Sequence, residues 1–231
     1  NLLPRLLDLF CGAGGAAMGY FRAGFNEITG IDNHHMPNYP FTFVLADALE
    51  YVAAHGSEFD LIHASPPCQK YSSMSRRKNH PDLYGPTRSV LRYVDRPYVI
   101  ENVIGAPYAH GIILCGSMFG LKVRRHRNFE TSWLILQPMQ CRHKEQGRPI
   151  TVTGDSGGKP RPHSWKGIKS EWPKIMGMEW ATPEDTTQAI PPIYTEFIGR
   201  QWRMFDERRG DGSAQRLPPV CGGIHPSLRV L

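Results

Sequence analysis

Short apolar runs alternate with amphipathic or loop segments through the first half of the chain, and this pattern predicts an α/β fold. The runs are nearly continuous, which is typical of parallel strands covered on both faces. The predicted strands are Leu6–Phe10, Ile28–Asp32, Phe43–Asp47, Leu61–Ser65, Tyr98–Asn102, Ile112–Gly116 and Arg125–Thr131. The predicted helices are Gly15–Ala23, Ala48–His55 and Ser89–Asp95. We therefore expect a mixed, mostly parallel sheet with helices on both faces.

The pattern changes near Ser132, where prolines and glycines interrupt every periodic run, so we expect loops or short antiparallel strands there. A helix is predicted again after Pro192, because apolar residues then recur on one side. Those residues are Ile193, Phe197, Ile198 and Trp202. The chain from Asp206 is rich in Arg, Gly and Pro, which predicts a poorly ordered tail. The predicted organisation is a core at 1–131, a reduced irregular region at 132–171, a return to the core at 172–205 and a tail at 206–231.

Composition narrows the function classes without selecting one. The 231 residues are 40% hydrophobic, which suits one sizeable domain, and no apolar run reaches membrane-spanning length. The first residues lack the features of a signal peptide. The five cysteines are scattered and lack CxxC spacing, which argues against a disulfide framework and favours a reducing cytoplasmic location. A net charge of +6 favours a polyanionic partner.

A glycine-rich loop follows the first predicted strand. Gly12 and Gly14 allow a ligand to approach the backbone, and the next helix offers free N–H groups at its start. Asp32 ends the second strand, where an acid would bond ribose hydroxyls. Asp47 ends the third strand and could accept from an adenine amine. Either acid could instead cap a helix, and the loop alone predicts a nucleoside cofactor without choosing between NAD and S-adenosylmethionine.

Cys68 follows a diproline directly after a buried strand. Pro66 and Pro67 fix the backbone, so the thiol is aimed at the carboxyl edge of the sheet, where open α/β folds place their chemistry. An isolated Pro-Cys is more typical of a small buried hydrophobe. Glu101, however, ends the fifth predicted strand at the same edge. This pairing of a carboxylate with an aimed thiol favours a catalytic site.

Two arginines follow in the chain. If residues 124–129 are extended, Arg125, Arg127 and Phe129 share one face. Guanidinium groups there suit an anionic or carbonyl-bearing ligand and favour a nearby thiolate.

No metal site is expected from the remaining cysteines. Cys141 and His143 could be combined with Cys115 or Cys221, but CxH is not a usual zinc-ligand spacing and no second ligand pair is evident in the sequence.

Taken in order, these motifs resemble those of DNA (cytosine-5) methyltransferases. The set consists of Asp8–Gly15, Ser65–Gln69, Glu101–Val103, Val123–Phe129, Ala189–Pro192 and Ile198-Gly199. The resemblance runs from about Leu6 to Trp202. It implies a Rossmann-like, S-adenosylmethionine-dependent fold with a small target-recognition region. It also implies a compact solitary enzyme similar to those of bacteriophages.

The resemblance also implies roles for single residues. Cys68 would add to C6 of a flipped-out cytosine, Glu101 would hold the N3/N4 edge, and Arg127 with Arg125 would contact the O2 side and the neighbouring phosphate. The residues implied for S-adenosyl-L-methionine, which leaves as S-adenosyl-L-homocysteine, are Phe10, Gly12, Gly14, Asp32, Asp47 and Pro67. The residues expected to contact DNA are Gln69, Ser72, Arg76, Arg77, Lys78, Arg142, Lys144 and Arg161.

The expected partner is double-stranded DNA, bound by a monomer without a membrane or an obligate protein partner. The expected location is the cytoplasm of a bacterial or phage-infected cell. One alternative is the tRNA-directed branch of the family, whose Cys-Phe-Thr signature is absent from the sequence. Another is a catalytically silent protein that binds and masks DNA, against which the presence of both Cys68 and Glu101 argues. An NAD oxidoreductase leaves the Pro-Pro-Cys-Gln and Arg-rich segments unexplained.

Overall fold

A computed structural model describes residues 3–67, 82–106, 111–153 and 165–210. Within these residues, seven strands form one sheet: β1 (Arg5–Leu9), β2 (Glu27–Asp32), β3 (Thr42–Leu45), β4 (Leu61–Ala64), β5 (Tyr98–Asn102), β6 (Ile112–Leu114) and β7 (Arg127–Thr131). The strand order is β3-β2-β1-β4-β5-β7-β6. Strands β1 to β5 pair in parallel, whereas β7 runs antiparallel to both β5 and β6. The mixed, mostly parallel sheet expected from the sequence is confirmed.

Helices cover both faces of this sheet, as predicted. They are α1 (Gly15–Arg22), α2 (Ala48–His55), α3 (Tyr84–Val94), α4 (His143–Gln146), α5 (Trp172–Met176), α6 (Pro183–Thr186) and α7 (Pro192–Gly210). Helices α1 and α7 pack on one face, in the cluster that contains Leu6 and Val99. Helices α2 and α3 pack on the other, in the cluster that contains Leu7 and Ile100. Successive residues of a strand therefore pack into the cores on opposite faces of the sheet, as the pleat requires.

Two helix boundaries differ from the sequence expectation. Helix α3 begins at Tyr84 instead of Ser89, and the Tyr84 hydroxyl donates to Glu130 at 2.7 Å across the fold. Helix α7 continues to Gly210, whereas a tail was expected from Asp206. Phe205, immediately before that extension, stacks on the buried Trp133, with ring centroids 6.1 Å apart. In both places a tertiary contact supports a turn whose local sequence reads as a loop.

Helix α7 returns to α1 and packs against it closely. A methyl group at Gly19 would overlap the Thr195 side chain, and one at Gly199 would lie 2.8 Å from the Ala23 Cβ. The Thr195 hydroxyl donates to the Ala16 carbonyl at 2.8 Å. This approach requires the small residues at the interface and fixes α7 against α1.

The described part of the irregular region contains little regular structure. It forms the single helical turn α4 and an isolated parallel bridge between Ile150 and Trp165, rather than the short antiparallel strands considered from the sequence. Val152 and Trp172 bury against Met176 and Met178 in a small separate core. This core lies next to the glycine loop, because Ala13 belongs to the same cluster.

None of the helices among the described residues combines the length and the apolar character that crossing a bilayer requires.

Candidate active site

Four of the predicted site residues that the structure describes lie at the carboxyl edge of adjacent strands. Phe10 follows β1, Asp32 ends β2, Pro67 follows β4 and Glu101 lies in β5. Because the order β2-β1-β4-β5 makes these strands neighbours, residues from distant parts of the sequence share one rim. Cys68 follows Pro67 directly in the sequence but lies outside the described residues.

The loop after β1 has an unusual backbone. Gly12 and Gly14 have φ of 49° and 79°, and Phe10 has a φ of 57°. A left-handed conformation costs a non-glycine residue about 1–2 kcal/mol, and such strain is concentrated at functional sites. A Cβ at Gly12 would meet no atom within 4 Å, so open space lies over that glycine. Gly14 instead packs against Tyr39 and Pro40, so a Cβ there would collide with the protein itself.

The two candidate cofactor acids have different surroundings. Asp32 Oδ2 accepts from the Gly12 amide at 3.2 Å and Oδ1 accepts from the His34 amide at 3.0 Å. Since no helix begins there, the capping alternative is wrong for Asp32, which braces the glycine loop instead. Asp47 does cap α2, with Oδ1 accepting from the amides of Leu49 and Glu50. Its predicted contact with an adenine amine stays a prediction.

These features fit a nucleoside cofactor. The space over Gly12, the partly exposed ring of Phe10 and the carboxylate of Asp32 lie at the ends of two adjacent strands. The side chain of Asp32 is 13% exposed, so its oxygens are still accessible. A ligand with a flat base and a ribose would find an apolar ring and a hydroxyl acceptor there.

Glu101 is buried at the end of β5 and is held by charge and by hydrogen bonding. Arg127 Nε lies 2.9 Å from Glu101 Oε1, and the Ser65 hydroxyl donates to the carboxylate. Burial raises the pKa of Glu101 above its ordinary value, although Arg127, Arg125 and Ser65 each lower it. The protonated carboxyl is therefore more accessible than in water, so Glu101 can act as a hydrogen-bond donor as well as an acceptor.

A chain of buried polar groups continues from Glu101 into the core. His63 Nε2 lies 3.0 Å from Ser65 Oγ, and the Tyr20 hydroxyl lies 3.0 Å from His63 Nδ1. Burial lowers the pKa of His63 to about 3, so its imidazole is neutral. One proton arrangement then satisfies every contact: Tyr20 donates to Nδ1, Nε2–H donates to Ser65, and Ser65 donates to Glu101.

Sequence reasoning did not identify this chain of contacts, because a single histidine in an apolar strand is usually a core residue. A usable signal was present, since His63 and Ser65 are two positions apart. In an extended segment that spacing places both side chains on the same face.

Arg125 does not share an extended face with Arg127, so that expectation is wrong. Strand β7 begins at Arg127, and Arg125 has a left-handed φ of 36°. Its guanidinium donates to the carbonyls of Val152 and Thr187 at 2.9 and 2.6 Å. Arg125 therefore ties the irregular region and the segment before α7 to the start of β7. Arg127, at the start of β7, makes an ion pair with Glu101.

The predicted DNA contacts are only partly visible. Arg142 and Lys144 are exposed on either side of His143, at the start of α4. The other predicted contacts lie outside the described residues: Gln69, Ser72, Arg76, Arg77, Lys78 and Arg161.

The chain is similar to known proteins over part of its length. The family described as C-5 cytosine-specific DNA methylase matches residues 4–96. The type II methyltransferase M.AgeI of Thalassovita gelatinovora is 30% identical over 121 residues, which is 44% of this chain and 28% of that protein. The chain thus spans under a third of that relative's length.

Two solved structures share the fold. One is a DNA modification methyltransferase encoded within an E. coli prophage, with a TM-score of 0.59 and 14% identity over 88% of this chain and 99% of the other. The Dnmt2 methyltransferase of S. pombe has a TM-score of 0.54 and 13% identity over 89% and 99%. The family match lies on the segment that carries β1 to β4, the glycine loop and Cys68. The match over residues 4–96 makes the chain similar to C-5 cytosine-specific DNA methylases, and the solved structures share its fold.

Proposed function

We propose that this chain transfers a methyl group from S-adenosyl-L-methionine to C5 of a cytosine in double-stranded DNA. The observation that carries the proposal is the position of Glu101. This carboxyl is buried at the end of β5, oriented by Ser65 and Arg127, and the adjacent strand β4 leads through the diproline to Cys68. A donor for the cytosine edge and a nucleophile for its ring thus come from neighbouring strand ends.

The cofactor would be held at the loop after β1. Phe10 would contact the adenine, Gly12 would let the ligand approach the backbone, Gly14 would allow the tight turn of the loop, and Asp32 would accept from the ribose. Asp47 and Pro67 would complete the pocket at the ends of β3 and β4. Bound S-adenosylmethionine supplies an electrophilic methyl group, and the product is S-adenosyl-L-homocysteine.

Cys68 and Glu101 would make the base reactive. The Cys68 thiolate would add to C6, and the electrons of the C5–C6 double bond would make C5 nucleophilic. The negative charge that moves towards N3 would be met by a hydrogen bond from Glu101, whose raised pKa favours the protonated form. After methylation a base would take the C5 proton, the double bond would form again, and the C6–S bond would break to release Cys68.

A base paired in a duplex hides both ring faces, so the target must be flipped out at a cost of a few kcal/mol. The segment after Cys68 carries Arg76, Arg77 and Lys78, which would contact phosphates around the displaced base. Arg142 and Lys144 would add contacts from the irregular region 132–171, which we propose as a reduced target-recognition region. A region of this size suits a short recognition sequence.

The test is methyl transfer by the purified chain to duplex DNA and, in parallel, to tRNA, with the modified cytosines mapped by sequencing. We expect C5 methylation of DNA and a covalent complex with DNA that contains 5-fluorocytosine. Cys68→Ser should lose both while it keeps S-adenosylmethionine binding, and Cys221→Ser should keep both as the matched control.

Other outcomes of the same experiment would contradict the proposal. Modification of tRNA alone would assign the chain to the tRNA-directed branch. Tight DNA binding without methylation or trapping by the wild-type chain would indicate a masking protein. Full activity of Cys68→Ser would exclude the covalent mechanism.

A further inference from the structure

A cluster of two thiols and two imidazoles lies beside the sheet, where β6 ends, β7 begins and α4 starts. Its members, which we call the Cys2His2 cluster, are Cys115, His126, Cys141 and His143. One ligand atom from each side chain lies within 4.8 Å of all the others. Cys115 Sγ is 3.3 Å from His143 Nε2, and Cys141 Sγ is 3.4 Å from His126 Nε2. Three separate segments therefore converge on one point.

The first half of the cluster follows from the antiparallel pairing of β6 with β7. Leu114 faces Arg127 at the end of that ladder, so Cys115 and His126 are the next residues to face each other. Side chains opposite one another on antiparallel strands have Cβ atoms about 4.5–5.5 Å apart. Two such neighbours can bind the same ion.

The second half is held in place by the segment that leads into α4. The Arg142 amide donates to Ser117 Oγ at 3.1 Å, and Gln146 Nε2 donates to the Leu121 carbonyl at 2.7 Å. These bonds fix the segment against the loop between β6 and β7. The thiol and the imidazole that it contributes are therefore positioned by protein contacts alone.

The donor atoms indicate which metal would bind. Zinc prefers thiolate sulfur and imidazole nitrogen in a tetrahedral arrangement, whereas calcium and magnesium prefer oxygen. Tetrahedral bonds of about 2.3 Å to sulfur and about 2.05 Å to nitrogen separate the ligand atoms by roughly 3.5 Å. The two sulfur–nitrogen distances above are close to that value.

We propose that the Cys2His2 cluster binds one structural zinc ion, and that both thiols release their protons to solvent on binding. No metal site was expected from the sequence, because no second ligand pair is evident in it. The β6–β7 ladder supplies that pair, across a separation in sequence that no local spacing motif covers.

Such an ion would join the irregular region to the sheet. His126 lies between the two arginines predicted to act in catalysis, and His143 lies between the exposed residues Arg142 and Lys144. One ion would hold both basic segments in fixed relation to the edge of the sheet. Its loss should therefore lower thermal stability and DNA affinity, and the role is structural because no cluster member lies in the proposed chemistry.

The test is the metal content of the full chain, purified under reducing conditions after growth with added zinc. We expect about one zinc ion per chain by mass spectrometry, and the visible absorption of a tetrahedral thiolate site when cobalt(II) replaces zinc. Cys141→Ser and His143→Ala should each lose most of the metal. Cys221→Ser and His55→Ala, which change the same residue types outside the cluster, should each keep it.

A second measurement separates metal loss from misfolding. The wild-type chain is stripped with a chelator and reloaded, and zinc, but not magnesium, should restore its melting temperature. A wild-type chain that remains metal-free in excess zinc would overturn the proposal. So would a Cys115–Cys141 disulfide in the folded protein under reducing conditions, or a melting temperature that zinc leaves unchanged.

Discussion

The position of Glu101 depends on residues that lie beneath it. The carboxylate is buried, and it is reached from the core through Ser65, His63 and Tyr20. Because each of these groups has one proton and one acceptor to satisfy, the arrangement fixes the direction in which Ser65 donates. Ser65 is thus a positioning residue for Glu101 rather than a group that touches the base.

Replacement of Ser65 should affect turnover more than binding. In Ser65→Ala the carboxylate loses a hydrogen bond, and a bond to a charged group is worth about 1.5 kcal/mol, so we expect kcat to fall roughly tenfold. The Michaelis constant for S-adenosylmethionine should stay unchanged, and Ser65→Thr should restore part of the rate. Steady-state methylation kinetics measure both constants. Ser89→Ala, at an exposed position of α3, is the control, and an equal loss of rate in that variant would contradict the positioning role.

The raised pKa of Glu101 predicts a pH-dependent stability difference. A raised pKa means that the folded state disfavours the carboxylate, so the contribution of Glu101 to stability is complete below its ordinary pKa and is lost as pH rises through the raised value. Glu101→Gln cannot ionise and escapes this loss. We therefore expect the melting temperature of the variant, relative to wild type, to be higher at about pH 8 than at about pH 4. Thermal melts at both pH values test this, and the opposite trend would mean that the pairing with Arg127 outweighs burial.

At the scale of elements, helices α1 and α7 make the closest glycine-dependent helix contact in the described part of the fold. Gly19→Ala should lower the free energy of unfolding by about 2–3 kcal/mol, because the added methyl group overlaps Thr195. Gly85→Ala adds the same group in α3 where no atom lies within 4 Å, and it should change stability by no more than about 1 kcal/mol. Urea denaturation of both variants gives the comparison. Equal stabilities would show that α7 can move away from α1.

The elements that were predicted correctly are those whose sequence signal is local. Strands such as β1 and β5 are continuous apolar runs, and α2 has a capping acid before an apolar face, so their sequences are sufficient. The first turn of α3 was missed because Gly85 and Pro86 suggest a loop, while the contact that stabilises it comes from Glu130, 46 positions away. Helix α7 was cut short at Asp206 because the Arg- and Gly-rich sequence after it suggests a tail, while the contact that anchors the preceding turn joins Phe205 to the distant Trp133.

The candidate site likewise contains residues that the sequence predicts and residues that it does not. The motifs around Gly12, Pro67 and Glu101 were recognisable because each lies at the end of a strand or just after it. The left-handed turn at Arg125 was not predictable, since an arginine with positive φ contradicts its own propensity. Facing pairs such as Cys115 and His126 depend on strand register, which the sequence does not reveal.

At the scale of the whole molecule, the net charge of +6 should produce a salt-dependent affinity for DNA. Changing Arg76, Arg77 and Lys78 to Gln should reduce the slope of log affinity against log salt by up to about 2.7, since each phosphate contact contributes about 0.9. Fluorescence anisotropy of a labelled duplex at several salt concentrations measures the slope.

A matched variant tests whether position matters beyond total charge. Arg92→Gln with Arg96→Gln removes charge where α3 leads into the amino end of β5, at the edge of the sheet opposite the site. We expect that double variant to keep the wild-type slope. If each removed charge lowered the salt slope as much as in the Arg76, Arg77 and Lys78 variant, the effect would be one of net charge rather than of position.

The return of α7 to α1 has a consequence for synthesis of the protein in the cell. Thr195 bonds to Ala16 across 179 positions, and Trp202 packs against Phe25 with ring centroids 5.1 Å apart. At about 5–20 residues per second, a ribosome needs roughly 10 to 35 s to make the chain between these partners. During that interval the apolar face of α1 has no cover from α7. Nascent chains should therefore be protected by chaperones and sensitive to protease until α7 has left the exit tunnel.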